Sequence, residues 1–220
     1  MFPVSDVIPS RTTPFVTVGL IVLNALAFLY ELQLNRHELQ LFAQAFGVVP
    51  AYFAWPTILT SMFLHSGWMH MLGNMLYLWI FGDNVEDRLG HLGFLAFYLF
   101  CGAVAALGQV AINPGSIVPM IGASGAIAGV MGAYFVLYPR SRILTAVFVV
   151  IFMDLIEIPA IFFLGIWFMM QLFSGVGSLG AHAADGGVAF WAHVGGFVAG
   201  LVIGLLWRAR EATLRRYWAG

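Results

Sequence analysis

Six stretches of this chain, at roughly 15–33, 60–82, 91–111, 119–138, 159–176 and 188–207, approach the ~20 apolar residues that cross a ~30 Å hydrocarbon layer. Lipid offers the backbone no hydrogen-bond partner, so each such stretch is expected to be helical. The fold class read from this pattern is an all-α membrane protein, a bundle of six transmembrane helices. Composition agrees. Apolar residues make up 61% and charged residues 9%, with a mean hydropathy of +0.93. A soluble domain carries about a quarter charged residues.

The charges give the orientation. All nine basic residues are arginine. With six spans and the N-terminus inside, Arg11, Arg88, Arg140, Arg142, Arg208, Arg210, Arg215 and Arg216 fall on the inner side and only Arg36 outside, as basic residues distribute across membranes. Both termini are expected to be cytoplasmic. The segment 143–158 interrupts the pattern. Its apolar part is too short to span and is broken by Asp154, Glu157 and Pro159. It reads as an interfacial or re-entrant piece, with helix and strand equally open. The start, 1–14, reads as a short cytoplasmic segment and not as a signal peptide, having no basic stretch ahead of a short apolar core. The end, 208–220, reads as a basic helix on the inner leaflet, held by anionic lipid. Cys101 has no cysteine partner and reads as packing. No charge run suggests nucleic acid, and nothing in the sequence signals an oligomeric state.

Polar groups inside spans are costly and mark function by default. Ser124 and His193 each lie about 8 Å into spans four and six at 1.5 Å per residue, and His70 and Asn74 lie in the outer part of span two. His193, Gly196, Gly200 and Gly204 share one face of span six. Gly122, Gly125, Gly129 and Gly132 form a stripe on span four, with Ser124 and Ala128 at its edge. Small residues at this spacing allow close helix contact in lipid. Spans four and six are therefore expected to pack tightly and bring Ser124 within reach of His193.

A serine hydroxyl becomes a nucleophile when an adjacent base takes its proton, and neutral histidine suits that task. An asparagine amide, a histidine N–H and the Ser124 N–H are donors suited to a tetrahedral oxyanion. These roles fit peptide hydrolysis at a site opening outward to water.

The motifs "HSGWMHMLGN" (His65 to Asn74), "EDRLG" (Glu86 to Gly90), "GASG" (Gly122 to Gly125) and "AHVGGFVAG" (Ala192 to Gly200) resemble those of rhomboid intramembrane serine proteases, in order and placement, over nearly the whole chain. The resemblance implies Ser124 as nucleophile and His193 as base of a Ser-His dyad, with His70 and Asn74 as oxyanion-hole donors beside Gly122. It implies supporting or structural roles for His65, Glu86, Arg88, Gly125, Gly196 and Gly200. It also implies a six-helix protease domain over 15–207, a membrane-embedded first outer loop, single-span membrane proteins as substrates, and no metal or cofactor. Two positions depart from the family pattern. Ala128 stands where some members have an aromatic residue that stacks on the histidine, and Trp55 is followed by Pro56 rather than arginine.

Other polar residues read more plainly. His37 and His91 sit at span ends. Gln109 reads as a helix-end cap. His182 and Asp185 precede span six, and a triad through Asp185 is disfavoured by the loop between them and His193. A catalytically silent relative that binds membrane clients is the alternative, and the presence of both Ser124 and His193 speaks against it. A transporter is a poorer fit, because no acidic residue sits mid-membrane and no polar path continues inward. The expected location is a bacterial plasma membrane.

Overall fold

The structure, a computed structural model, describes residues 2–149, 152–178 and 189–219. It is mainly helical. The helices are α1 (Phe15–Glu31), α2 (Arg36–Phe46), α3 (Trp55–Thr60), α4 (Trp68–Leu89), α5 (His91–Ile112), α6 (Ser124–Leu137), α7 (Ala160–Ser178) and α8 (Phe190–Ala219). By length and apolarity α5, α7 and the Phe190–Arg215 part of α8 qualify as membrane spans. α1 and α6 are apolar but shorter. α4 carries histidine and asparagine in its first turns and Asp83, Glu86, Asp87 and Arg88 in its last.

α6 is the centre of the bundle, enclosed along most of its length. It is apolar on every side, as expected of a helix surrounded by other helices. α8 crosses it so closely that a Cβ on Gly196 would overlap the Gly125 carbonyl oxygen, and one on Gly200 that of Gly129. The expected pairing of the two glycine stripes is therefore present. α5 closes another side, with Cys101 and Ala105 against Gly129 and Gly125. Cys101 is buried there and serves packing.

The all-α expectation is corrected by a three-stranded antiparallel sheet. β2 (Arg142–Val149) and β3 (Phe152–Pro159) form a hairpin, and β1 (Phe2–Asp6) pairs with β2, giving the order β1-β2-β3. Of the two readings open for 143–158, helix and strand, the structure has strand. The segment is rich in β-branched residues, which favour the pleated state, and β1 supplies a partner from the far end of the chain. The sheet lies between the C-terminal end of α6 and the start of α7.

Two helix starts also differ. The stretch 60–67 is not the start of span two. It forms a turn at Ser61–Phe63 and a loop, and α4 begins at Trp68 after Gly67. Residues 119–123 precede α6: Met120 bridges to Val48, and the positive φ of Gly122 turns the chain before Ser124. The basic tail is helical, continuing α8 to Ala219.

The remaining joints are polar. The Glu86 carboxylate accepts from the Val16 and Thr17 N–H groups (2.9 and 2.8 Å) and from the Thr17 hydroxyl (2.7 Å). It thereby caps α1, whose first N–H groups have no helical partner. His91 Nδ1 lies 2.6 Å from the same carboxylate, and Arg88 pairs with Glu211 of α8 at 2.6 Å. Gln109 caps the first turn of α8. Its Oε1 accepts from the Ala192 N–H at 3.3 Å and ties α5 to α8.

Candidate active site

Ser124 is the first residue of α6, not a residue ~8 Å inside it. Gly122 causes the turn. Its φ of +120° belongs to glycine's range, and its N–H donates to the Ser61 carbonyl at 2.8 Å. A Cβ there would come within 2.6 Å of His70 Nε2. His193 is the fourth residue of α8, and His70 and Asn74 are the third and seventh of α4. All four thus stand in the first two turns of their helices. The N-terminal, positive ends of these three helices thus border one cavity.

His193 Nε2 lies 2.8 Å from Ser124 Oγ. Its Nδ1 lies 2.8 Å from Gln171 Oε1 on α7. Trp167, one turn earlier on α7, sets its ring 5.9 Å from the imidazole at 38°. These two residues were not singled out from sequence. The available signal was Gln171 itself, a strongly polar side chain in the middle of the apolar run "IWFMMQLF". They also answer the departure at Ala128: α7, not α6, supplies the groups that flank the histidine.

His70 faces the site differently. The Ser66 N–H approaches its Nδ1 at 3.4 Å and the Ser66 hydroxyl at 3.1 Å. A backbone N–H only donates, so Nδ1 is the acceptor and the proton resides on Nε2. That Nε2 and the Asn74 amide both face Gly122. Among the described residues Asn74 Nδ2 is buried without a partner. An orphaned buried donor is rare, and here it is aimed at the space beside Ser124.

A cavity of about 740 Å3 occupies that space. Its wall includes His70, Asn74, Ser124, Gln171 and His193, with Met69, Met120 and Phe190 among its apolar members. A bound carbonyl beside Ser124 meets a hydroxyl and two side-chain donors. The arrangement suits nucleophilic attack with oxyanion stabilisation.

The supporting residues are placed as follows. His65 lies in the loop before α4, not on a face of that helix. It is buried with its ring 5.1 Å edge-on to His70. Its N–H donates to both Glu31 carboxylate oxygens at 3.0 and 3.1 Å, which pins the loop to α1. Glu31 was not foreseen either. Gly125, Gly196 and Gly200 act in packing. Glu86 and Arg88 lie at the other end of α4, away from the cavity. His182 and Asp185 lie outside the described residues. Among the described residues no group of three or more acidic, histidine or cysteine side chains is arranged to hold a metal.

A buried helix flanked by glycine contacts, with a serine and two histidines beside a cavity at its entrance, marks a mainly helical membrane protein. The pattern of the Rhomboid domain family matches residues 52–210, well over half of the chain, and the protein belongs to the rhomboid family. It is 31% identical over 152 residues to "Rhomboid protein 1, mitochondrial" of Saccharomyces cerevisiae, covering 67% of this chain and 40% of that protein. It is 32% identical over 111 residues to "Rhomboid-like protein 11, chloroplastic" of Arabidopsis thaliana, covering 48% and 39%. It is 39% identical over 79 residues to "Rhomboid protease GluP" of Bacillus subtilis, covering 36% and 15%. The chain thus matches less than half the length of each of these relatives.

Proposed function

We propose that this protein is an intramembrane serine endopeptidase that cleaves single-span membrane proteins through Ser124 and His193. The observation that carries the reading is the 2.8 Å contact between Ser124 Oγ and His193 Nε2 at the wall of a cavity that Asn74 also lines, its Nδ2 without a partner among the described residues. Ser124 Oγ attacks the scissile carbonyl carbon while its proton passes to His193 Nε2. The carbonyl oxygen becomes an oxyanion, held by His70 Nε2–H, Asn74 Nδ2–H and the Ser124 N–H. Collapse breaks the C–N bond, and His193 returns the proton to the leaving amine. Water then attacks the acyl-enzyme with His193 again as base, releasing the second product and restoring Ser124.

Six crossings are proposed, by α1, α4, α5, α6, α7 and α8, with both termini on the arginine-rich cytoplasmic side. Residues 1–14 and 208–220 flank the membrane domain. α6 has 14 residues, about 21 Å, less than the ~30 Å hydrocarbon thickness. That shortness supports a site recessed below the outer surface and reached by water through the cavity. The relatives' names give no support to a bacterial plasma membrane over an organelle membrane, since two of them are mitochondrial and chloroplastic. A silent, client-binding role is the alternative. One of the relatives is named as a protease, and both members of the dyad are in contact here, which favours the enzyme.

The test is cleavage in liposomes of a labelled single-span substrate by wild type, Ser124→Ala and His193→Ala. Cleavage by wild type alone supports the reading. Equal cleavage by all three overturns the site.

A further inference from the structure

We propose that Gln171 is the positioning residue that holds His193 in the tautomer a base requires; the inference rests on the protease reading above. A neutral imidazole carries one N–H. To accept the Ser124 proton, Nε2 must be bare, so the hydrogen must sit on Nδ1 and find an acceptor. His193 is 9% exposed, so water is a poor candidate. Gln171 Oε1, 2.8 Å from Nδ1, is that acceptor. Among the described residues the imidazole nitrogens of His193 bond Ser124 and Gln171 and no carboxylate.

The choice of an amide follows from the setting. A carboxylate would fix the same tautomer but would place a charge within an apolar helix, which is costly in a membrane. The amide oxygen fixes it without charge. After proton transfer both imidazolium N–H groups keep acceptors, Gln171 on one side and the reacting oxygen or leaving nitrogen on the other. Trp167 and Gln171 are four residues apart on α7 and so share a face. One flanks the ring and the other binds its edge. The two histidines of the site are thereby set to opposite tautomers by their Nδ1 partners. Ser66 donates to His70 and leaves it a donor at Nε2, while Gln171 accepts from His193 and leaves it a base at Nε2.

The experiment uses the full chain in liposomes with a labelled single-span substrate, comparing wild type, Gln171→Met, Gln171→Glu and Ser124→Ala. Gln171→Met keeps length and loses the acceptor. Its kcat is expected to fall about tenfold or more, since general-base action accounts for ~10²–10⁴ in rate, with KM little changed. Gln171→Glu keeps an acceptor and is expected to retain activity, with the acid limb of its kcat profile moved to higher pH because a carboxylate stabilises imidazolium. A merely structural role would leave that limb in place. In parallel, 15N spectra of histidine-labelled protein, with the His193 signal assigned by its loss in His193→Ala, are expected to show a protonated Nδ1 and a bare Nε2. If Gln171→Met does not fold, the Gln171→Glu profile and the wild-type spectrum decide. Wild-type kcat in Gln171→Met, an unmoved limb in Gln171→Glu, or a protonated Nε2 in wild type overturns the proposal while leaving the dyad intact. A wild type that cleaves no better than Ser124→Ala overturns the protease reading instead, and with it the role of Gln171 in catalysis.

Discussion

Gly196 of α8 lies directly against the carbonyl oxygen of Gly125 of α6, one turn from the contact between His193 and Ser124. The dyad distance is therefore set by backbone approach and not by flexible side chains. Gly196→Ala must push α8 outward, because the obstacle is backbone. Gly204→Ala also meets backbone, the Ala133 Cα and carbonyl oxygen, but at 3.2–3.3 Å against 2.0 Å at Gly196, a contact that a small shift relieves. Overpacking of this kind costs ~1–3 kcal/mol. Gly196→Ala is expected to lower both cleavage and the thermal midpoint in detergent, and Gly204→Ala to change neither by much. Equal behaviour of the two would refute the backbone argument.

On the proposed mechanism, Asn74→Ala removes one oxyanion donor and leaves Ser124 and His193 in place. A single donor of this type is typically worth ~10²–10³ in kcat. The expected result is a loss of that size with unchanged KM and a normally folded protein. Gly122→Ala is expected to act on the same term, since its Cβ would displace His70. Single-turnover cleavage measures both, and an Asn74→Ala enzyme with full kcat would remove Asn74 from the oxyanion hole.

Glu86 holds α1 to α4 by three hydrogen bonds from Val16 and Thr17. Hydrogen bonds to a charged group contribute ~1.5–3 kcal/mol. Glu86→Ala is expected to lower the unfolding midpoint in detergent, while the activity per folded molecule stays near wild type. A fall in kcat at full stability would mean that Glu86 reaches the site.

Asp6 ends β1 and accepts from Tyr134 Oη (2.5 Å) and Asn84 Nδ2 (3.1 Å). Burial pushes its pKa up from 3.8 to about 6, with Asp83 adding to the rise and the Tyr134 hydrogen bond opposing it. Between these values the folded chain binds more protons than the unfolded one. Stability is thus expected to be greatest below about pH 4 as far as this group is concerned, to fall as pH rises to about 6, and to be level above. Asp6→Asn is expected to flatten that slope. Unfolding midpoints in detergent from pH 4 to 7 measure it, and an identical slope in the variant would assign the effect elsewhere.

The helices were readable because a lipid-facing chain must be apolar and internally hydrogen-bonded, which leaves a plain mark in the sequence. The α6–α8 contact was readable from glycines at four-residue spacing. The sheet was not, because β2 finds its outer partner in β1, more than a hundred residues away, and apolar runs of that length fit helix and strand alike. Ser124 was misplaced by a turn because Gly122 and the Val48–Met120 bridge, not the hydropathy, decide where α6 starts. Gln171 and Glu31 were missed for a common reason. Each acts on a residue distant in the chain, His193 and His65, through a pairing no local pattern announces.

The most direct measurement is mass-mapped labelling by a fluorophosphonate probe of wild type, Ser124→Ala and His193→Ala in bilayers. An activated serine in this cavity predicts a single adduct on Ser124 in wild type and none in either variant. An adduct on Ser124 that survives in His193→Ala at the wild-type rate, or a folded wild type that takes no label, would contradict the dyad.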